Sequence, residues 1–250
     1  MASGTNRLGL RVQESVAQGL IPVTYAALAV WMRFGQRYRI DDLRRVREQF
    51  LTLVGREPGP FLICANHLTL IDSLVLQWAL ASAWRIAPRR RLFPWNLPDK
   101  RNLASRWWWQ VIGFLCKCIP VVRNGTPEQT RQTLDKVAWL LARGQSVVIF
   151  PEGGRSRVGK VDPDSATYGV GRILQAVPGT PVLCVFLRGR GQRAYSDYPA
   201  RGESFVVRQE RITPATAAEG MRGARDLARQ IVGRLSEMEN QYFADACADR

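Results

Sequence analysis

The sequence predicts an α/β domain, because short apolar runs with the length of buried strands alternate with helical patterns along the chain. Three runs carry this prediction, at 61–65, 145–150 and 181–187. Pro60 and Asn66 bound the first run, Gly144 and Pro151 lie next to the second, and Pro181 begins the third; such residues punctuate strands. At 250 residues the chain is long enough for one domain with its own hydrophobic core.

Residues 1–50 are predicted to be mostly helical and to begin with the apolar segment 17–32, which arginines flank on both sides. This segment is shorter than the roughly 20 apolar residues of a standard membrane span. It is compatible with a helix at the membrane interface, with a core helix, or with a signal peptide that lacks a clear cleavage site. We favour a membrane-associating segment at 1–50, followed by one domain at 51–250.

Three further helices are predicted in chain order. Asp72 or Ser73 is positioned to cap a helix that follows the first strand. Thr126 begins the next helix, which runs to Arg143 and ends before Gly144. Near the end of the chain, apolar residues recur at helical spacing and predict a helix with one face packed on the domain. They are Met221, Ala224, Leu227, Ala228, Ile231, Val232 and Leu235.

The composition restricts the classes of partner and of site. Thirty-six basic and 21 acidic residues give a formal net charge of +15, which attracts anionic surfaces such as membranes, nucleic acids or phosphorylated molecules. Five dispersed cysteines without a CxxC pair do not form a disulfide framework, and they indicate a reducing compartment. A single histidine excludes a histidine-rich metal site, and no metal or cofactor is expected.

That single histidine, His67, follows the first strand, and Asp72 lies five residues further on in "NHLTLID". Histidine is the commonest general base near neutral pH, and a carboxylate can fix its tautomer. The chain has no GxSxG nucleophile elbow, so the pair suggests direct attack by a substrate hydroxyl. The alternative is a packed histidine beside an unrelated helix cap.

Two arginine-bearing segments follow later strands. In "VVIFPEGGRSR", the backbone N–H groups of a glycine-rich turn and the guanidinium of Arg155 are suited to an anion such as phosphate. Glu152 could hold Arg155 or bind a hydroxyl. In "IPVVRNG", Arg123 comes directly after another apolar run.

Together, the N-H-x4-D segment, "VVRNG" and "FPEGGRS" resemble the motif blocks of the glycerolipid acyltransferase family, whose best-known members are 1-acylglycerol-3-phosphate acyltransferases. A fourth block resembles "GTPVLCVFL" with Pro181. The resemblance covers roughly residues 55–190 in the family's order. It implies a mixed sheet flanked by helices, of the glycerol-3-phosphate acyltransferase type, with N-terminal helices at the membrane.

The resemblance implies transfer of a fatty acyl group from acyl-CoA or acyl-carrier protein to a lysophospholipid hydroxyl, without an acyl-enzyme. His67 would be the base and Asp72 would orient it. The acceptor would be bound by Arg123, Glu152, Gly153 and Arg155. The expected partners are this acceptor, the thioester and the cytoplasmic face of the cell membrane, where the protein would be peripheral or shallowly anchored. Nucleic acid is not an expected partner.

Two departures from the family pattern leave the acceptor open. Gly154 replaces the usual threonine, and an arginine- and tryptophan-rich insert occupies 89–109. Lysophosphatidic acid is the default acceptor, and a lyso-ornithine-type lipid is the alternative. A further alternative is a basic membrane- or nucleic-acid-binding module without catalysis, because tryptophan suits both base stacking and the lipid headgroup region.

Overall fold

The computed structural model describes residues 4–55, 59–122 and 125–248. Within these residues one six-stranded sheet is flanked by helices on both faces. The strands are β1 (Arg39–Ile40), β2 (Leu62–Ala65), β3 (Trp95–Asn96), β4 (Val147–Ile149), β5 (Val182–Gly189) and β6 (Ser204–Ile212). The α-helices are α1 (Gly4–Val30), α2 (Leu43–Gly55), α3 (Asp72–Leu80), α4 (Ala83–Ile86), α5 (Lys100–Ala104), α6 (Trp107–Leu115), α7 (Pro127–Ala142), α8 (Tyr168–Ala176) and α9 (Gly220–Ala248).

The sheet has the strand order β1-β6-β5-β2-β4-β3 and is mixed, as the family resemblance implied. Strand β2 lies inside the sheet and pairs in parallel with both β4 and β5, whereas β5 and β6 are antiparallel. One apolar cluster packs α1, α2 and α3 against one face, and a second packs α7, α8 and α9 against the other. Parallel strands covered on both faces explain the continuous apolar runs in the sequence.

All three predicted strands are present, as β2, β4 and β5. Strand β6 was not predicted, although its side chains alternate between buried and partly exposed, which is the pattern of a half-buried strand. Strands β1 and β3, which have two residues each, were not predicted either. So short a strand has no periodicity that a sequence could reveal.

The predicted helix starts and stops are mostly confirmed. Thr126 accepts a hydrogen bond from the Gln129 N–H, and the Gln129 side chain bonds back to the Thr126 backbone, completing a capping box. Helix α7 ends at Ala142, and Gly144 takes the left-handed conformation at φ 76°. The expectation that Asp72 or Ser73 caps α3 is wrong, because Ile71 occupies the cap and Asp72 belongs to the first turn.

Helix α1 has two different faces. Ala17, Ile21 and Tyr25 are buried in the core, and the Tyr25 hydroxyl donates to backbone carbonyl oxygens at the end of α3. Large apolar side chains on other faces of the helix are exposed. Among the described residues, one helix, Arg7–Gly35, is long and apolar enough to cross a membrane. The division of the chain at residue 50 stays a prediction, although the packing of Ala17 and Ile21 ties α1 to the sheet.

Candidate active site

The lone histidine and its predicted carboxylate partner meet in the turn between β2 and α3. His67 Nδ1 lies 2.9 Å from Asp72 Oδ2. The same carboxylate oxygen accepts hydrogen bonds from the backbone N–H groups of Leu68, at 2.6 Å, and Thr69, at 2.8 Å. The Thr69 hydroxyl donates to the other oxygen, Oδ1.

Asp72 is 3% exposed, and its hydrogen bonds leave it as an acceptor on both oxygens. A carboxylate that only accepts requires a proton on Nδ1 of the histidine, so Nε2 is the ring nitrogen that can take a proton from a substrate. The predicted contact between the two side chains is therefore present, whereas the role of His67 as a general base stays a prediction.

The glycine-rich segment after β4 is joined to the histidine turn. Phe150 stacks on the His67 imidazole, with ring centroids 4.1 Å apart and the planes inclined by 18°. The N–H of Ser156 donates to the carbonyl oxygen of His67 at 2.9 Å. Because β2 and β4 are parallel neighbours, the turns at their carboxyl ends lie side by side, where α/β sheets place their ligands.

Gly153 is required by the shape of this segment. Its φ is +69°, and a Cβ atom there would lie 2.5 Å from the Thr167 methyl carbon. Thr167 in turn fixes the segment, since its N–H and its hydroxyl both donate to the Pro151 carbonyl oxygen, at 2.9 and 2.8 Å. The backbone around Glu152 is thus held from both sides.

Glu152 is a partly buried carboxyl. Burial raises its pKa to about 7, while the backbone N–H groups of His67 and Asp162 act in the opposite direction. Its Oε1 atom is buried and has no hydrogen-bond partner among the described residues. A buried oxygen without a partner is unusual in a folded protein and retains the capacity to accept a hydrogen bond.

Arg155 does not pair with Glu152, which corrects one of the two roles predicted for that glutamate. Its Nη1 atom donates to the carbonyl oxygen of Ser196 at 3.1 Å and to Asp197 Oδ1 at 2.5 Å. The guanidinium also lies over the Tyr195 ring, 5.5 Å from the centroid. The partner comes from the loop between β5 and β6, about which the motif says nothing.

A cavity of about 260 Å³ brings these residues together. His67, Gly153 and Arg155 line it from the two motif turns, whereas Glu152, the other predicted acceptor residue of the second turn, does not line it. Arg123 lies outside the described residues, although Val121 of the same motif lines the cavity.

The insert that the sequence analysis found unusual supplies one wall of this cavity, and this was not predicted. Asn96, Asp99 and Asn102 contribute polar side chains there. The Asn96 Nδ2 atom donates to the Cys116 carbonyl oxygen at 2.9 Å, and its Oδ1 atom is buried without a partner among the described residues. The only signal was the polar cluster "NLPDKRN" between the aromatic residues.

One apolar cavity adjoins the cavity that holds His67, and a second apolar cavity adjoins the first of these. The first, of about 70 Å³, shares Leu70, Ser73, Pro98 and Asn102 with the His67 cavity. The second, of about 420 Å³, lies among α1, α3 and α6 and is almost wholly apolar. It shares four residues with the small cavity, namely Leu74, Trp109, Ile112 and Cys116. The three cavities together extend from His67 to α1.

No group of three or more histidine, cysteine, aspartate or glutamate side chains suited to a metal ion occurs in the part of the chain that the structure describes. The described residues offer a histidine paired with an aspartate, a partly buried carboxyl and an arginine, close to apolar cavities.

The chain resembles known proteins at the level of a family model and of a solved structure. The family model described as Acyltransferase matches residues 41–188. A crystal structure of the 1-acyl-sn-glycerophosphate (LPA) acyltransferase PlsC from Thermotoga maritima is similar over 94% of this chain and 97% of that one. Its sequence identity is 16% and its TM-score is 0.47. No curated protein matches the chain in sequence.

Proposed function

Because the chain belongs to the acyltransferase family, we propose that it moves a fatty acyl group from acyl-CoA or acyl-carrier protein to a lysophospholipid hydroxyl. The proposed acceptor is 1-acylglycerol 3-phosphate, and the product is then phosphatidic acid. The observation that carries the proposal is the His67–Asp72 pair at a polar cavity, which a small intervening cavity links to a large apolar one. A lysolipid and a fatty thioester both need such a combination.

In the proposed reaction, His67 Nε2 removes the proton from the acceptor hydroxyl as its oxygen attacks the thioester carbonyl carbon. The new ester C–O bond forms and the C–S bond breaks. The leaving thiolate then takes the proton back from the imidazolium. Asp72 keeps Nδ1 protonated and stabilises the transient charge on the ring.

The acceptor side of the site is proposed to include Glu152, Gly153, Arg155 and Arg123. The buried Oε1 of Glu152 would accept from a glycerol hydroxyl, and the two arginines would bind phosphate. A lyso-ornithine-type lipid is a second candidate acceptor. The Arg155–Asp197 ion pair favours this acceptor, because Asp197 already neutralises one of the two arginines that are proposed to bind phosphate.

A position on the cytoplasmic face of the membrane is part of the proposal. Exposed apolar side chains on α1 continue onto α6, and the Gln13 side chain joins the two helices by donating to Phe114 and Cys118 carbonyl oxygens. The exposed set is Leu8, Val12, Val16, Leu20, Val23, Trp107, Trp108, Val111 and Phe114. Arg106, over the Trp108 ring at 4.7 Å, adds the combination of charge and tryptophan that suits a headgroup layer.

The test of the reaction uses purified full-length protein, lysophosphatidic acid or lyso-ornithine lipid, and long-chain acyl-CoA or acyl-carrier protein, with products identified by mass spectrometry. We expect phosphatidic acid from the wild type. His67→Ala should lower turnover by at least about 10²–10⁴-fold while the melting temperature changes little. Near-normal turnover by this variant would refute the mechanism. Formation of acylated ornithine lipid alone would select the second acceptor.

The membrane proposal needs surface substitutions, because deleting α1 would also remove Ala17, Ile21 and Tyr25 from the core. Val12→Asn with Val16→Asn changes only exposed positions of the helix. We expect this variant to float less with anionic vesicles and to melt like the wild type. A matched control is Val158→Asn, an exposed valine away from α1 and α6. Equal flotation of all three proteins would refute the role of α1.

A further inference from the structure

Two buried charged side chains form hydrogen bonds with the backbone of the loop that follows β4, residues 151–161. Arg188 lies in β5 and Glu239 in α9. Glu239 is 3% exposed and Arg188 is 5% exposed. Their side chains form an ion pair, with 3.3 Å between Arg188 Nη1 and Glu239 Oε1.

Each member of the pair also bonds the backbone of the loop. Arg188 Nη1 donates to the Gly159 carbonyl oxygen at 2.6 Å. Glu239 Oε2 accepts from the Val161 N–H at 2.7 Å. A second guanidinium nitrogen, Nη2, donates to the Gln192 carbonyl oxygen at 2.9 Å. The pair therefore joins α9, β5 and the loop in one buried network.

A buried ion pair is a poor source of stability, because desolvation of both charges offsets most of their attraction. It can instead impose one arrangement on the groups around it. Burial raises the pKa of Glu239, while the Val161 N–H, Arg188 and Lys160 favour its charged form. The charged form is the one that can accept from Val161 and Arg188 together.

The backbone next to Val161 contacts the Glu152 side chain. Asp162, next to Val161 in the chain, directs its N–H towards the Glu152 carboxyl, as His67 does. At the other end of the loop, the N–H of Ser156 bonds the His67 carbonyl oxygen. The loop thus spans the distance between the general base and the buried network.

We propose that Glu239 is a positioning residue for acyl transfer, and that through Val161 and Arg188 it holds the loop 151–161 where Glu152 and Arg155 can serve the acceptor. This inference rests on the proposed function. Glu239 lies outside residues 41–188, which match the family model. The site would accordingly depend on a helix that carries none of the motifs.

Steady-state kinetics test the role of Glu239 in the reaction. Glu239→Ala should lower kcat/KM for the acceptor about tenfold or more, since small displacements of a positioned group are costly, and leave KM for the thioester unchanged. Glu239→Gln should keep more activity than the alanine variant, because its amide oxygen can still accept from Val161. Glu237→Ala, an exposed glutamate of the same helix that pairs with Arg234, is the matched control.

The pH profile provides a readout that a purely structural role would not change. The charge of Glu239 is one of the causes that raise the pKa of Glu152. In Glu239→Gln, the pH midpoint that Glu152 contributes to kcat/KM should therefore move to lower pH. If Glu239→Ala and Glu239→Gln fold and give the acceptor kinetics and pH profile of Glu237→Ala, the inference is wrong. If the alanine variant does not fold, the glutamine variant decides.

Hydrogen–deuterium exchange separates this inference from the proposed function. Faster exchange confined to peptides covering 151–161 in Glu239→Ala, relative to Glu237→Ala, is expected whether or not the wild type uses lysophosphatidic acid. Unchanged exchange there would refute the loop-holding role. A wild type inactive on every lysolipid tested, together with faster exchange, would instead refute the proposed function and leave the structural link standing.

Discussion

The His67 imidazole lies face to face with the Phe150 ring, with 4.1 Å between the ring centroids. The histidine motif and the glycine-rich motif, about eighty residues apart in the sequence, are thus in contact through side chains as well as through backbone hydrogen bonds. Because the Phe150 ring covers one face of the imidazole, it limits rotation of the imidazole about its hydrogen bond to Asp72 and excludes water from that face.

The stacking predicts a specific effect on turnover. Phe150→Ala should lower kcat by about ten- to a hundredfold, since a base that is no longer held in plane spends less time aligned with the hydroxyl. Phe150→Tyr keeps a flat ring and should retain most of the activity. Steady-state assays at saturating thioester and acceptor give the comparison. Equal kcat values for the alanine and tyrosine variants would contradict it.

Asp72 predicts a combined loss of activity and stability. In Asp72→Asn, the amide group would turn a donor towards the N–H groups of Leu68 and Thr69 or towards His67, since the native carboxylate only accepts. We expect turnover to fall by about 10⁴-fold, as in other oriented histidines. The free energy of unfolding should fall by about 1–3 kcal/mol.

Denaturant unfolding and turnover should be measured on the same Asp72→Asn preparation. Asp164→Asn, an exposed aspartate in a short helical turn, is the control and should change neither quantity. Wild-type turnover by Asp72→Asn would exclude the proposed tautomer.

The buried carboxyl of Glu152 predicts a dependence of stability on pH. Because its pKa in the folded state is about 7 and the ordinary value is 4.5, the protonated form favours folding below pH 4.5. That contribution is lost as the pH rises from 4.5 through 7. Glu152→Gln should therefore gain stability relative to the wild type across this interval. Melting temperatures at pH 5, 6, 7 and 8 test the trend, and a constant difference would contradict it.

Lys117 predicts the opposite trend at higher pH. This lysine is fully buried, and its ammonium donates to the Phe93 carbonyl oxygen at 2.7 Å and to Gln145 Oε1 at 3.0 Å. Burial lowers its pKa from 10.5 to about 7. Between these values the unfolded chain binds more protons, so the lysine contribution to stability rises with pH.

The comparison for Lys117 is with Lys117→Met, which has a similar length and no charge. The stability of the variant relative to the wild type should be most favourable near pH 7 and should decline towards pH 9. Using the difference between the two proteins removes the contributions of the buried cysteines, which titrate in both. A difference that grows with pH would be the contrary result.

Substitutions of Arg155 and of Asp197 should change the affinity for the acceptor in opposite directions. If Arg155 binds phosphate, Arg155→Lys should raise KM for lysophosphatidic acid, since lysine cannot form two parallel bonds, and leave KM for the thioester unchanged. Asp197→Asn removes the competing carboxylate and should lower KM for the acceptor. Arg157→Lys, an exposed neighbour, is the control. Unchanged acceptor KM in both test variants would exclude phosphate recognition by Arg155.

The positions of His67 and Glu152 after their strands could be predicted from the sequence, but the residues that line the rest of the cavity could not. His67 and Glu152 follow strands long enough to be recognised, and parallel pairing then brings their turns together. The wall formed by Asn96 and Asn102 depends on a two-residue strand and a five-residue helix, whose positions only the surrounding packing determines. Arg155 and Asp197 are 42 residues apart, and their contact is a tertiary property that local spacing could not predict.

The pairing of β2 with β4 and β5 also has a consequence for how the protein reaches its active form. Leu62 aligns with Val147 on one side and with Val182 on the other, so the strands around the histidine turn close loops of roughly a hundred residues. Such a high contact order makes folding slow, because the entropy of loop closure is lost before the pairing contributes. A nascent chain released before β5 would lack the third of these strands, so the sheet that carries the histidine turn cannot be completed until most of the polypeptide has been synthesised.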